Sequence, residues 1–277
     1  MSAFGVARSW LYVPGHRPDL VAKALAGDAE AVVVDLEDAV PVGAKQAARE
    51  TVGILRTEKP LWVRINPFPD RATEHADREA GRLDLEALAG LPVDGVRMPK
   101  ATDPVVVRDV AQALDRPLHL LLESALGVER AFELASAHEL VVGLSLGEAD
   151  LAADLRVRDR TALEWARQRV VVASRAAGLA SPVAPVWTDV ADLTGLAADS
   201  AAARERGFHG RSVIHPRQIP VVHRAFTPSP DELARARALL ASLEDSTETA
   251  FLDADGRFVD PAVVAGARAL LAQNQET

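Results

Sequence analysis

The residues able to do chemistry in this chain gather behind short apolar runs. Pro14-Gly15-His16-Arg17 follows SWLYV, Asp35, Glu37 and Asp38 follow AVVV, and Arg64 and Asn66 close LWVRIN. Lys100 follows VRMP, Glu123 ends LHLLLE, Glu148 and Asp150 follow LSLG, and His215 follows SVI. Charges scattered over a surface have no reason to collect on the C-terminal side of each run. Charges that converge on one site do.

Glu123 and Asp150 follow successive runs. Two carboxylates at neighbouring strand ends repel unless a cation or a shared proton relieves them. Hard oxygen ligands in a chain with no cysteine select Mg²⁺ or Mn²⁺ over zinc. The competing reading makes both acids helix caps; Asp150 suits that role, while Glu123, directly ending an apolar run, suits it poorly. Arg64 carries a planar fork that grips carboxylates through two bonds. It is expected to anchor a substrate carboxylate or stabilise an enolate, or else to pair with Asp35 or Glu37; an acidic partner would orient it for the first task. Asp35 and Asp38 read as support for Arg64, and Glu37 stands between support and direct contact. Lys100 has two readings: a contact to phosphate or carboxylate, or a Schiff-base amine, which requires a lowered pKa. Arg8, Arg17 and Lys23 flank the first strand–loop–helix unit, where cations beside a helix start can hold a ligand's phosphates. Gly207, Gly210 and Arg211 add a second candidate phosphate site near the last run. His215, in an IHP turn, reads as a structural hydrogen-bonding residue.

The elements that must position these groups follow from the pattern of the runs. Strands are expected at Ser9–Val13, Ala31–Leu36, Leu61–Ile65, Gly95–Met98, Leu118–Leu122, Leu140–Leu144, Ala180–Val183 and Gly210–Ile214, with Pro182 weakening the seventh. Between them, Ala44–Glu58, Pro104–Leu114 and Ala162–Ala177 space their apolar residues as helices do, and Gly178 suits a C-cap. Strand–helix alternation implies a parallel sheet with right-handed crossovers. Eight such units predict an α/β fold, a (β/α)8 TIM barrel, over residues 1–225, the alternative being an open doubly wound sheet. Catalytic groups of such barrels sit at the C-terminal strand ends. Residues 226–277 form a C-terminal helical extension: a helix near Asp231–Glu244, the polar stretch DSTET, a turn at Asp255-Gly256, and a last helix from Pro261 capped by Asp260. A closed barrel does not need this tail, which predicts contact with a neighbouring subunit.

Composition agrees. In 277 residues, 48 % are hydrophobic but only 4 % aromatic, so the core must be built from Ala, Val and Leu. The net charge of −9 opposes binding to phosphate backbones, so nucleic acid is not an expected partner. With no cysteine, thiolate catalysis, disulfides and cysteine-based metal sites are excluded. No apolar run approaches the roughly 20 residues a membrane span needs, and the N-terminus lacks a signal core, so the expected location is cytoplasmic.

Together the stretches RSWLYVPGHRPDLVAKAL, VVVDLEDAV with Lys45 and Arg49, WVRIN, VRMPK, LLES, LSLGEADLAADL and GFHGRSVIHPRQI resemble the citrate lyase β-subunit family, within the wider class of HpcH/HpaI-type aldolases and malyl-CoA lyases. The resemblance covers residues 8 to 219 in the family's order. It implies a β/α barrel, trimeric or built from trimers, with Mg²⁺ on Glu123 and Asp150 and with Arg64 on the substrate. It further implies carbon–carbon cleavage or formation between an acetyl-type thioester and a keto acid, the thioester being on CoA or on an acyl carrier protein. In relatives with a longer tail, an Asp in a Met-Ile-Asp segment reaches the next subunit's site; here Phe258-Val259-Asp260 stands in that place, with Phe and Val as departures. Arg211 stands where the family has lysine. Three readings stay open: a stand-alone CoA-ester lyase or thioesterase, a β subunit dependent on acyl-carrier partners, and a non-catalytic barrel.

Overall fold

A computed structural model of the chain describes residues 6–68, 75–244, 250–252 and 256–276. The stretch DSTET and Asp255 of the expected Asp255-Gly256 turn lie outside the described residues. The chain divides into two units, Met1–His223 and Arg224–Thr277.

The first unit is a parallel sheet alternating with helices. Its strands are β1 (Ser9–Pro14), β2 (Ala31–Asp35), β3 (Leu61–Arg64), β4 (Gly95–Met98), β5 (Leu118–Leu122), β6 (Val141–Leu146) and β7 (Arg211–Val213). They lie in the order β6-β5-β4-β3-β2-β1-β7, every neighbouring pair parallel. The unbroken apolar runs explain this arrangement: AVVVD of β2 and LHLLL of β5 are buried at every position, as parallel strands covered on both faces must be. The connecting helices are α1 (Pro18–Ala26), α2 (Lys45–Ile54), α3 (His75–Leu88), α4 (Pro104–Leu114), α5 (Ala125–Glu129), α6 (Ala131–Ala135), α7 (Glu148–Asp154), α8 (Glu164–Ala176) and α9 (Leu193–Glu205). Local chemistry sets their ends. Asp103 caps α4 by accepting from the Val105 N–H at 2.8 Å, with Pro104 in the first turn. The helix expected over Ala162–Ala177 is α8, preceded by a single tight turn at Arg160–Leu163, and Gly178 follows it at φ +72°.

One expected strand is not formed. Ala180–Val183 has no ladder of its own, because Pro182 has no N–H to give to one. Pairing there shrinks to two isolated parallel bridges, Ser145 to Val183 and Ala184 to Arg211, so each outermost strand of the sheet, β6 and β7, is bridged to the segment Val183–Ala184.

Along one face of the sheet the side chains form two tiers. The lower tier is apolar: Trp10, Ala31, Val33, Trp62 and Val183 cluster there, the two indoles meeting edge to face at 5.5 Å. Gly95 is required by this packing, since a Cβ on it would stand 2.5 Å from Trp62 Cη2, closer still to Cζ3, and 2.8 Å from the Pro117 carbonyl oxygen. Above it the register sets Pro14 beside Asp35, Asp35 beside Arg64, Arg64 beside Arg97 and Arg97 beside His119. The ends of the strands thus carry a charged row directly over a dry core.

In the second unit, α11 (Pro230–Glu244) packs on α12 (Pro261–Glu276), and β8 (Phe251–Leu252) pairs antiparallel with β9 (Phe258–Val259). A short helix, α10 (Ile219–Phe226), links the two units in sequence. Asp260 caps α12, accepting from the N–H groups of Ala262 at 3.0 Å and Val263 at 2.9 Å.

Candidate active site

A cavity of about 260 Å³ opens at the C-terminal ends of the strands. Tyr12 from β1, Asp35 from β2, Arg64 from β3, Glu123 after β5, Asp150 in α7 and Ser212 from β7 all line it. The strand-end charges that the sequence placed behind separate apolar runs therefore meet at one opening.

Arg64 is fixed from behind. Its Nε and Nη2 donate to the two oxygens of Asp35 at 2.8 and 2.6 Å. Its Nη1 lies 2.8 Å from Glu37 and 3.4 Å from Asp38, and the guanidinium stands over the Tyr12 ring at 5.2 Å. Asp35 has no capacity to spare, because its oxygens also accept from the Glu37 and Ala39 N–H groups at 2.9 and 3.1 Å. The pairing with Asp35 and Glu37 that its sequence position allowed is formed, and the side chain also lines the cavity. Lys45 Nζ steadies the acidic turn by donating to the carbonyls of Leu36 and Glu37 at 2.6 and 2.7 Å.

Glu123 is buried, with 7 % of its surface exposed. Its Oε2 accepts from the Lys100 N–H at 2.9 Å, and Lys100 holds the left-handed φ of 52° that turns this N–H toward it. Burial pushes the Glu123 carboxyl up to about 7, against the pull of Arg64 and with Asp150 adding to the rise. Gly147 makes room for it: a Cβ there would stand 2.5 Å from Glu123 Cγ, 2.7 Å from Cδ and closer still to Oε1. Asp150 differs from its neighbour Glu148. Glu148 is held by Arg167 at 2.9 Å and by Arg160 at 3.4 Å, whereas Asp150 has no ion pair among the described residues.

Glu37 lies between Arg64 and Lys100, whose Nζ is 3.2 Å from Oε1. Burial pushes its carboxyl up to about 8; Arg64 opposes the rise and Glu123 and Asp38 add to it. For Lys100, burial works against the charge, yet Glu37, Asp38 and Glu123 hold the amine above the ordinary lysine range. A Schiff-base amine needs the reverse shift, so the structure disfavours that reading.

The remaining expected cations separate. Arg17 starts α1 at the cavity end of β1 and pairs with Asp19 at 2.9 Å, both exposed. Lys23 is exposed on the last turn of α1. Arg8, expected with them, precedes β1 at the opposite end of the strand, where its Nε donates to Glu30 at 2.9 Å; it is not brought to the cavity. Arg211 is wholly buried, donating to the Pro185 carbonyl at 2.9 Å and pairing with Asp199, so it does not present itself to a phosphate. His215 Nδ1 accepts from the Arg217 N–H at 3.2 Å, a turn-capping role. Sequence reasoning missed Tyr12, Ser212 and Gly147; for Tyr12 the signal was its place one residue before the end of the first run.

The donor set fits a hard divalent ion of the open kind. Among the described residues no group of three or more His, Cys, Asp or Glu converges as a cage. Mg²⁺ needs none, since it is held by one or two carboxylates with water and substrate oxygens completing the shell. A buried carboxylate with raised proton affinity, a free acid beside it and a glycine carved away from it meet that requirement.

Residues 8–216 match the HpcH/HpaI aldolase/citrate lyase family. The chain is 34 % identical over 272 residues to a (3S)-malyl-CoA thioesterase of Cereibacter sphaeroides, covering 96 % of this chain and 94 % of the relative. It is 31 % identical over 289 residues to the citrate lyase subunit beta of Escherichia coli, covering 96 % and 92 %. Among solved structures, CitE of Mycobacterium tuberculosis in complex with magnesium, acetoacetate and coenzyme A superposes with a TM-score of 0.83 at 33 % identity, covering 99 % of this chain and 100 % of that one. The citrate lyase beta subunit of the same organism, complexed with oxaloacetate and magnesium, gives a TM-score of 0.71 at 33 % identity over 82 % of this chain and 100 % of that one. The cavity's donors and these likenesses lead to one assignment: the chain belongs to the HpcH/HpaI aldolase/citrate lyase family.

Proposed function

We propose that this chain is a Mg²⁺-dependent carbon–carbon lyase that cleaves a hydroxyacyl thioester into an acetyl-type thioester and a keto acid, with Mn²⁺ able to replace Mg²⁺. The observation that carries the reading is the Glu123–Asp150 pair on the wall of the cavity that Arg64 also lines. Glu123 and Asp150 would hold the ion. The chemistry it supplies when bound is Lewis-acid polarisation of an acid chelated through its carboxylate and adjacent oxygen. Arg64, locked by Asp35, presents donors to the oxygen on which charge gathers without needing to reorganise. Glu37 bridges Arg64 and Lys100 and keeps both cations in place. Arg17, Lys23 and Lys100 are the cations proposed to meet the CoA phosphates.

Several further features belong to the same proposal. The sheet and the Val183–Ala184 bridges close as a (β/α)8 barrel over residues 1–225, with 226–277 as an extension. The chain assembles as a homotrimer or a multiple of it, in the cytoplasm, and Asp260 of a second copy moves the proton. CoA or an acyl carrier protein carries the thioester. A second reading, hydrolysis of the thioester, is favoured by the identity to malyl-CoA thioesterases. The metal assignment is tested by EDTA treatment and add-back: activity should vanish and return with Mg²⁺ or Mn²⁺, and Glu123→Gln should lose metal affinity with an unchanged melting temperature. Full activity in EDTA, with substrate trapped on Lys100 by borohydride, would overturn it.

A further inference from the structure

Beneath the cavity floor lies a cation the proposed reaction does not use. Arg97 is wholly buried and, among the described residues, has no ion pair to a carboxylate. Its charge rests instead on aromatic faces, 4.6 Å from the Trp10 ring centre and 5.3 Å from that of Tyr12. A buried guanidinium without a counter-ion costs several kcal/mol unless something offsets it. Burial accordingly lowers its proton affinity, with Arg64 adding to the effect.

The hydrogen bonds of Arg97 show what it arranges. One nitrogen, Nη1, donates to the Tyr12 hydroxyl at 3.0 Å and to Ser212 Oγ at 2.8 Å. Arginine has donors only, so both hydroxyl oxygens are acceptors in these bonds. Each hydroxyl keeps its own hydrogen, and among the described residues neither donates it to another protein group. Tyr12 and Ser212 both line the cavity. Their oxygens share one donor nitrogen and are therefore neighbours.

We infer that Tyr12 and Ser212 form a paired hydroxyl donor site for an anionic oxygen of the substrate, a carboxylate or enolate oxygen, and that Arg97 is the positioning residue that turns both hydrogens toward it. The inference rests on the proposed lyase site and extends it to two hydroxyls that line the same cavity. Arg97 acts twice: it occupies the hydroxyl lone pairs, leaving the hydrogens for the ligand, and its uncompensated charge makes the floor attractive to anions. The Tyr12 ring lies against both guanidinium groups, 5.2 Å from Arg64 and 5.3 Å from Arg97, which fixes its orientation.

The test is calorimetric binding of oxalate, a dicarboxylate mimic of a keto-acid enolate, to the intact chain in saturating Mg²⁺. Tyr12→Phe and Ser212→Ala each remove one hydroxyl and little else, and each should weaken oxalate roughly 10-fold, the loss of one hydrogen bond to a charged group. Mg²⁺ affinity and melting temperature should not move. Arg97→Met should approach the loss of the double variant Tyr12→Phe/Ser212→Ala, yet add almost nothing when combined with it, a coupling that a merely structural arginine would not give. Unchanged oxalate affinity in both single variants, with the wild type binding, overturns the donor pair alone. A wild type that fails to bind oxalate with Mg²⁺ overturns the metal-site reading and this inference together. Fully additive losses for Arg97→Met overturn the positioning role.

Discussion

Gly147→Ala is the smallest change that reaches the proposed metal site. The backbone tolerates it: Gly147 sits at φ −93°, ψ 87°, open to any residue. The new methyl would stand 2.5 Å from Glu123 Cγ and 2.7 Å from Cδ, and the nearest atoms it meets all belong to that one side chain. An ordinary carbon–carbon contact is about 3.5 Å, so the carboxylate must retreat by about 1 Å. A shift of about 1 Å in a catalytic group lowers the rate by about 10²-fold. That corresponds to about 2.7 kcal/mol of lost transition-state stabilisation. Because the obstructed atoms are the end of a flexible side chain, folding should be nearly unaffected. Mg²⁺ titration, steady-state kinetics and thermal melting of the purified variant read the three quantities separately. A Gly147→Ala protein with wild-type metal affinity and kcat/KM would refute the assignment of Glu123 as a ligand; a protein that fails to fold would refute the argument that only a side chain must move.

Other perturbations test the neighbouring groups. Arg64→Lys keeps the charge but not the fork that holds both Asp35 oxygens, and kcat/KM should fall about 10²-fold or more, the scale for losing an oxyanion-type donor; near-normal kinetics would leave Arg64 a purely structural partner of the strand-end acids. Arg64→Met should lower stability by about 3–5 kcal/mol in denaturant titration, because Asp35 is left charged and buried. In the metal-free chain Glu37 and Glu123 have folded pKa values of about 8 and about 7, above the ordinary 4.5 of the unfolded chain, so the folded state binds more protons in that interval. The stability these groups contribute is full below about pH 4.5 and is lost as pH rises toward 7 and 8, and saturating Mg²⁺ should remove the part due to Glu123; melting temperatures from pH 5 to 9 with and without Mg²⁺ check the sign. Asp260→Asn keeps the cap on α12 while removing the charge, so mixing inactive Asp260→Asn and Glu123→Gln chains should restore activity if Asp260 serves a second copy; no restoration under demonstrated subunit exchange would place its role elsewhere.

Much of this site was legible in the sequence because strand ends are where apolar runs stop. Glu123, Asp150, Arg64 and the acids of DLED each mark such a stop, and parallel strands carry their C-terminal ends to one side. What the runs cannot show is which side chains satisfy one another. Asp35 and Glu148 look like ligands by type, but Arg64 and Arg167 occupy them. Arg8 adjoins a run as Arg17 does, yet it precedes the strand and so belongs to its other end. Arg211 reads as a phosphate contact beside two glycines until Asp199, on the preceding helix, pairs with it in the interior. The seventh strand failed for a reason visible in advance, the missing N–H of Pro182. Gly147 was unreadable because its necessity comes from Glu123, a side chain that follows a different strand.

Product analysis of citryl-, malyl-, citramalyl- and methylmalyl-CoA, each incubated with the chain and Mg²⁺, decides whether the chain is a carbon–carbon lyase. At least one should yield an acyl-CoA and a keto acid in equal amounts, EDTA should stop this, and Glu123→Gln should not support it. Release of free CoA and an intact hydroxy acid would make the chain a thioesterase, and keto acid formed undiminished in EDTA would contradict the metal-centred account.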